Sequence, residues 1–370
     1  MSSVWLPCGD YHWNYGQDQG WWQTRLIQGK MILLLAIMFI GIPLLGLSPN
    51  YEYWLGVAIM VGYTAMGALG VQLLIGYTGL ITLGHTAFIA VGAYTSTLLV
   101  LQFPWPQFIV HWGLAYPVSI IVAGIFAGVW SVLFGLPSAK VKGFYLILTT
   151  MAAHFITVDF VITQYVSRIG GRGHAFSLPP GTIKVGPWVI DSDIKIYYVM
   201  AVLLTLMVIV LANLLRSRVG RAWVAIRDND IAAEALGINI VWYKLLAFFV
   251  AGFMAGVTGA FWVSNTAALS PEHFPWFISL WLVGVILIGG VGSIHGAIFG
   301  SLFMVVIMEL LQIACIPLAE YYPKVLIYFS FIKEAAFGLA ICAFVIYEPN
   351  GLAYRWWQIK NYFNLWPFSY

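Results

Sequence analysis

The chain has 370 residues, of which 61% are hydrophobic and only 8% charged, with a net charge of +3. A soluble domain carries roughly a quarter charged residues, so a mean hydropathy of +0.89 makes lipid the main solvent and excludes a water-soluble globule. No polybasic run exists, which argues against nucleic acid as a partner.

The chain opens on a leader rich in Trp and Tyr, with Arg25 and Lys30 ahead of the first apolar run. A signal peptide would be shorter and would end in an A-x-A cleavage site, so the expectation is a cytoplasmic leader over residues 1–30 and a retained helix after it. A membrane helix needs roughly 20 mostly apolar residues. On that basis the spans fall at 31–47, 53–75, 80–101, 114–136, 144–162, 197–215, 245–263, 277–300, 302–317 and 326–347. The expected fold is an all-α polytopic bundle of about ten membrane helices over residues 31–348, with a possible inverted repeat and a cytoplasmic tail at 349–370. Cys8, Cys315 and Cys342 lack CxxC spacing and read as small buried hydrophobes, with no metal site.

Short-loop cations set the orientation of such a chain. Arg25, Lys30, Lys140, Lys142, Arg216, Arg218, Arg221, Arg227, Lys244, Arg355 and Lys360 fall on one side, against Arg168, Arg172, Lys184, Lys195 and Lys324 on the other. Both termini are therefore expected in the cytoplasm. The external loop 164–196 holds Gly170-Gly171, Pro179-Pro180 and Gly186-Pro187, which argue for turns, short strands or a cap over the outer mouth.

The cytoplasmic loop 216–244 carries the most information. Helix formers occupy 221–227, Asp228-Asn229-Asp230 offers N-caps, and a second short helix over 231–236 ends at Gly237 as its C′ residue. Two short helices outside the bilayer, with small Ala faces, suit close approach of another protein; an interfacial amphipathic connector is the alternative.

Gly292, Gly296 and Gly300 recur every four residues, as do Gly124/Gly128 and Gly252/Gly256, a spacing that lets helices approach closely. The run from Gly76 to Gly84 has too much turn chemistry for an ordinary span. It reads either as a plain turn or as a broken helix facing the permeation path, with Thr78, Gly79, Thr82, Gly84 and His85 as its candidates. Ionisable residues inside spans default to function: Glu309 is expected deepest, facing a wet cavity or a Lys or His, while Asp159 and Glu334 are expected near the outer interface. His85, His154 and His295 read first as structural. No HExxH or GxxxxGK[ST] motif is present, the sequence argues no Ser/His/Asp arrangement, and Gly290-Val-Gly292 lies in an apolar span with His295 where a dinucleotide fingerprint needs glycine.

Several stretches together carry a resemblance. Residues 221–239 (RAWVAIRDNDIAAEALGIN) with 243–248, Gly76 to His85 running on to Gly92-Ala-Tyr94, 288–296 (IGGVGSIHG), Pro349-Asn-Gly-Leu352 and the terminal 365–370 resemble the M-type permease subunit of bacterial branched-chain amino acid ABC transporters, over roughly residues 53–370. The resemblance implies half of a heteromeric importer of the inner membrane, completed by an H-type permease, two cytosolic ATPase subunits and a periplasmic substrate-binding protein. It implies no cofactor on this chain, since ATP and Mg belong to the ATPases. It makes Arg221, Arg227, Asp228, Asp230, Ala233, Glu234, Ala235 and Gly237 the ATPase-coupling loop. Urea and short-chain amide importers share this superfamily, and an ion-coupled secondary transporter is the alternative of another class.

Overall fold

In a computed structural model, residues 25–47, 51–140, 143–166, 168, 176–178, 183–266, 268–321 and 324–365 are described. Most of the leader, Cys8, Arg172, the dipeptides at 170–171 and 179–180, and residues 366–370 lie outside them. The helices in chain order are α1 (Arg25–Ala36), running on through a π-helical stretch Ile37–Gly41 and Ile42–Gly46; α2 (Glu52–Gln72), ending in a π-helical stretch Leu73–Tyr77; α3 (His85–Leu101); α4 (Gln107–His111); α5 (Ala115–Lys140); and α6 (Phe144–His154), extended as a π-helix Phe155–Val166. After them come α7 (Asp193–Arg216), α8 (Arg218–Asp228), α9 (Asp230–Ala235), α10 (Ile240–Thr266), α11 (Phe277–Gly289), α12 (Ile294–Tyr321), α13 (Lys324–Tyr347) and α14 (Gly351–Leu365).

Among the described residues, seven helices are long and apolar enough to cross a membrane. The stretches Gln28–Leu44 and His85–Leu101 are shorter apolar helices, and α13 adds a largely apolar helix of 24 residues. The outer faces of α5 and α7 show large apolar side chains such as Ile121, Phe126, Leu206 and Val210, a surface that only lipid or a partner helix satisfies. The chain is an all-α multi-pass membrane protein.

Helix α10 runs through the middle of the bundle between α3 and α5. Glycines make that approach possible. A side chain at Gly92 would collide with the backbone of Gly256, and one at Gly259 with the carbonyl of Ile89. One at Gly256 would stand 2.9 Å from the Cα of Gly124. Backbone thus lies on backbone, the geometry that small residues permit in lipid, where no hydrophobic drive joins helices. Ser131 Oγ adds a bond, donating to the Phe248 carbonyl at 2.6 Å.

The break between the later spans differs from the expectation. Helix α11 stops at Gly289, and Gly290 and Gly292 take φ of +115° and +83°, values that a side chain disfavours. Residues 277–300 are therefore two helices joined by a turn, and Gly292 sits in that turn instead of on one helix face with Gly296 and Gly300. The boundary was hidden because the turn, Gly290-Val-Gly-Ser293, holds no charged residue to interrupt the run. Gly296 and Gly300 do lie on α12, against the Gly290 and Val285 carbonyls.

The reading of the cysteines as buried also needs correction: Cys315 is half-buried and Cys342 exposed. On the long loop, β1 (Phe176–Ser177) pairs antiparallel with β4 (Ala268–Leu269) just after α10, in register Phe176↔Leu269. A tight hairpin of β2 (Lys184–Val185) and β3 (Trp188–Val189) turns at Gly186.

Candidate functional site

Two places gather the residues with chemistry. The first is the helical pair α8–α9, outside the bundle. Ser217 starts α8, its Oγ accepting from Val219 N–H at 3.1 Å. Gly220, Ala222, Trp223 and Ile226 form the buried face of α8, and the fully buried Trp223 donates its indole N–H to the Tyr243 carbonyl at 2.8 Å. Asn229 then caps α9, its Oδ1 accepting from Ala232 N–H at 3.1 Å, a bond of about 1 kcal/mol in typical helices.

Helix α9 ends in a Schellman motif: Gly237 N–H bonds Glu234 O at 2.9 Å and Ile238 N–H bonds Ala233 O at 3.1 Å, with Gly237 at φ +83°. These caps hold a rigid knob. Ala233 faces inward, while Arg221, Glu234, Ala235 and Gly237 are exposed and Asp230 is half-buried. Ile231 and Leu236 are 73% and 81% exposed.

A second side chain ties the knob to the bundle. Arg227 donates through Nη1 to the Gly76 carbonyl at 2.7 Å, and its Nη2 and Nε reach Asp228 Oδ1 at 3.0 and 3.1 Å. Gly76 belongs to the π-helical end of α2, and the carbonyls of a helix's last turn have no intrahelical donor. The same spot meets the α11–α12 turn. Gln72 donates to the carbonyls of Gly290 at 3.0 Å and Ser293 at 2.8 Å. A side chain at Gly76 would stand 2.6 Å from Gly292 N, and one at Gly292 3.4 Å from Arg227 Nη1. The C-terminal helix braces this turn from the other side, because Gly351, at φ +73°, lies against the Gly290 backbone.

The residues 78–85 belong to this end as well. Thr78 Oγ1 donates to Leu74 O at 2.6 Å, and Gly79, at φ +70°, abuts Arg227. Thr82 is buried with its Oγ1 accepting from Gly84 N–H at 3.3 Å, Gly84 lies against the Thr150 backbone, and His85 is fully buried at the start of α3.

Glu309 lies elsewhere. It lines the second place, a cavity of about 490 Å³ walled by α2, α3, α10, α11, α12 and α13. None of Thr78, Gly79, Thr82, Gly84 or His85 lines that cavity, so the residues read together as one path divide between two regions. Tyr53, one residue into α2, donates its hydroxyl to Glu309 Oε2 at 2.5 Å, which puts the carboxylate toward the opposite end of α2 from Arg227. Lys333 and Glu334 of α13 line the same cavity. Glu334 reads from sequence as a cheaply solvated interface residue, and Gln72, Tyr53 and Lys333 drew no site role there. Gln72 and Lys333 were visible as lone polar groups in apolar runs; their partners, on other helices, were not.

Taken together, a multi-pass helical bundle with a capped knob outside it and a cavity within it has the build of a membrane transport protein. Residues 53–333 match the family described as branched-chain amino acid transport system / permease component, and the chain belongs to that family. The high-affinity branched-chain amino acid transport system permease protein LivM of Escherichia coli is 29% identical over 253 residues, 63% of this chain and 57% of that protein. Its Salmonella typhimurium counterpart is 28% identical over the same shares. The probable branched-chain amino acid transport permease protein LivM of Methanocaldococcus jannaschii is 26% identical, covering 63% of this chain and 67% of that protein. The chain thus spans a little over half the length of the first two relatives. No solved structure matches it.

Proposed function

We propose that the chain is a permease subunit of an ATP-binding-cassette importer, carrying branched-chain amino acids across the inner membrane with energy from separate ATPase subunits. The observation that carries this reading is the α8–α9 knob. It is capped at both ends, it presents Ile231 and Leu236 to the outside, and Arg227 ties it to the break in α2. An exposed apolar pair set among small alanines and the charged Asp230 and Glu234 suits a soluble partner, and an ATPase docked there would pull on α2 through one guanidinium. Glu234 and Ala235 form part of the docking face, and Arg221, Asp228 and Asp230 set its charge register. In this reading both termini are cytoplasmic, an H-type permease completes the pore, and a periplasmic binding protein delivers the cargo. The name of the family and of its relatives supports the substrate class.

Reconstitution with the partner permease, ATPases and binding protein tests the proposal. Uptake of leucine requires ATP, and uptake driven by an ion gradient with no ATPase present would overturn it. Glu234→Lys and Ala235→Asp are expected to weaken ATPase association; assembly and coupling that survive both would remove the knob from this role.

A further inference from the structure

The cavity between α2, α11, α12 and α13 has a wall chemistry that the helix-packing role leaves unused. Most of its lining is apolar or aromatic, with Met60, Ile89, Leu282 and Trp281 among it, and three charges face the same space: Glu309, Lys333 and Glu334. A charge inside a span is costly unless it has a partner. Among the described residues, none of the three forms an ion pair.

The Lys333 ammonium donates to Gln312 Oε1 at 3.0 Å and sits 4.6 Å from the centre of the Phe329 ring. An ammonium has three donors, so capacity remains. Glu309 is held on one oxygen by Tyr53, and among the described residues no hydrogen bond engages the other.

We propose that this cavity is a binding site for a zwitterionic aliphatic amino acid, with Glu309 and Glu334 receiving its ammonium group and Lys333 its carboxylate. The aliphatic side chain lies against the apolar wall. The proposal rests on the permease reading above and adds to it the place and the specificity. Both ends of an α-amino acid hang on one carbon, so a site must offer both signs of charge within one small space. An uncharged amide would leave the half-buried Glu309 and Lys333 without a charged partner in a largely apolar wall, and a site built for a polar group rejects the analogue lacking it. The volume of about 490 Å³ lies within the usual range for small-molecule sites.

The test measures radiolabelled leucine binding to the permease complex in nanodiscs, without binding protein, alongside ATP-driven uptake by the full importer. Wild-type complex is expected to bind leucine saturably, with the uncharged isostere 4-methylpentanamide competing at least about tenfold more weakly. Lys333→Met and Glu334→Gln are expected to weaken binding by about tenfold or more each. The isostere comparison uses the unmutated protein, so it stands even where a variant fails to assemble. Equal competition by the amide would overturn the proposal. So would unchanged binding in assembled variants, or no binding in a complex that does import leucine. Loss of ATP-driven leucine uptake by the wild-type importer would instead strike the permease reading beneath it.

Discussion

Replacing Arg227 with alanine removes the side chain that hydrogen-bonds the α8 knob to the broken end of α2. Its bond to the Gly76 carbonyl is 2.7 Å long, and hydrogen bonds to a charged group contribute about 1.5–3 kcal/mol where water does not compete. The side chain is 38% exposed, so water recovers part of that, and about 1 kcal/mol remains. The neighbouring Asp228 is 63% exposed, and its pairing adds little. A loss of about 1 kcal/mol corresponds to about a fivefold change in the balance between docked and undocked arrangements. The assay is the ratio of leucine taken up to ATP hydrolysed in proteoliposomes of the importer proposed above. Arg227→Ala is expected to lower that ratio several-fold while basal hydrolysis persists. Arg227→Lys, which keeps the charge but not the fork shared with Asp228, is expected to fall between. A wild-type ratio in Arg227→Ala would refute the idea that this bond transmits motion.

Three further outcomes follow from the geometry. Gly237→Val forces a branched side chain to φ +83°, at a cost of about 1–2 kcal/mol, and hydrogen exchange across α9 should rise accordingly while the bundle stays protected. Gly92→Leu drives a side chain into the Gly256 backbone, so the detergent-solubilised protein should melt far lower or fail to assemble; a near-native melting temperature would show that α3 and α10 separate freely. Arg355 holds the Glu348 carboxyl below its ordinary value of 4.5 by hydrogen bonding it. A depressed carboxylate lends stability above its ordinary value and loses it as pH falls through the lowered one. Protease nicking before α14 should therefore increase only in that acid window, and Glu348→Gln should abolish the pH dependence.

The membrane helices were legible because roughly 20 apolar residues in a row have few other uses. The knob was legible too: Asn229 and Gly237 are cap residues by chemistry, and they cap. What stayed hidden was whatever depends on backbone angle or on which face meets lipid. Gly290 and Gly292 turn the chain inside a run that no charged residue interrupts. Cys342 lies in as apolar a sequence as any core residue yet is exposed, since lipid and protein interior are equally apolar. The Tyr53–Glu309 bond links residues 256 positions apart, and no local pattern announces it. Lys333 and Glu334 looked like residues near a helix end until the fold packed α13 on α11 and α12 and turned both side chains to the cavity.

The glycine contacts among α3, α5 and α10 also say where motion can occur. Helices separated by side chains can slide, because rotamers give way; helices touching through bare backbone have no such slack. These three therefore form a frame that turns as one piece or not at all. Any cycle of opening and closing has to be taken up around that frame, at the π-widened end of α2 and the turn between α11 and α12, where Gln72, Arg227 and Gly351 converge. Spin labels placed on α3 and α10 should keep a fixed separation through a full turnover, while labels spanning the α11–α12 turn record the stroke.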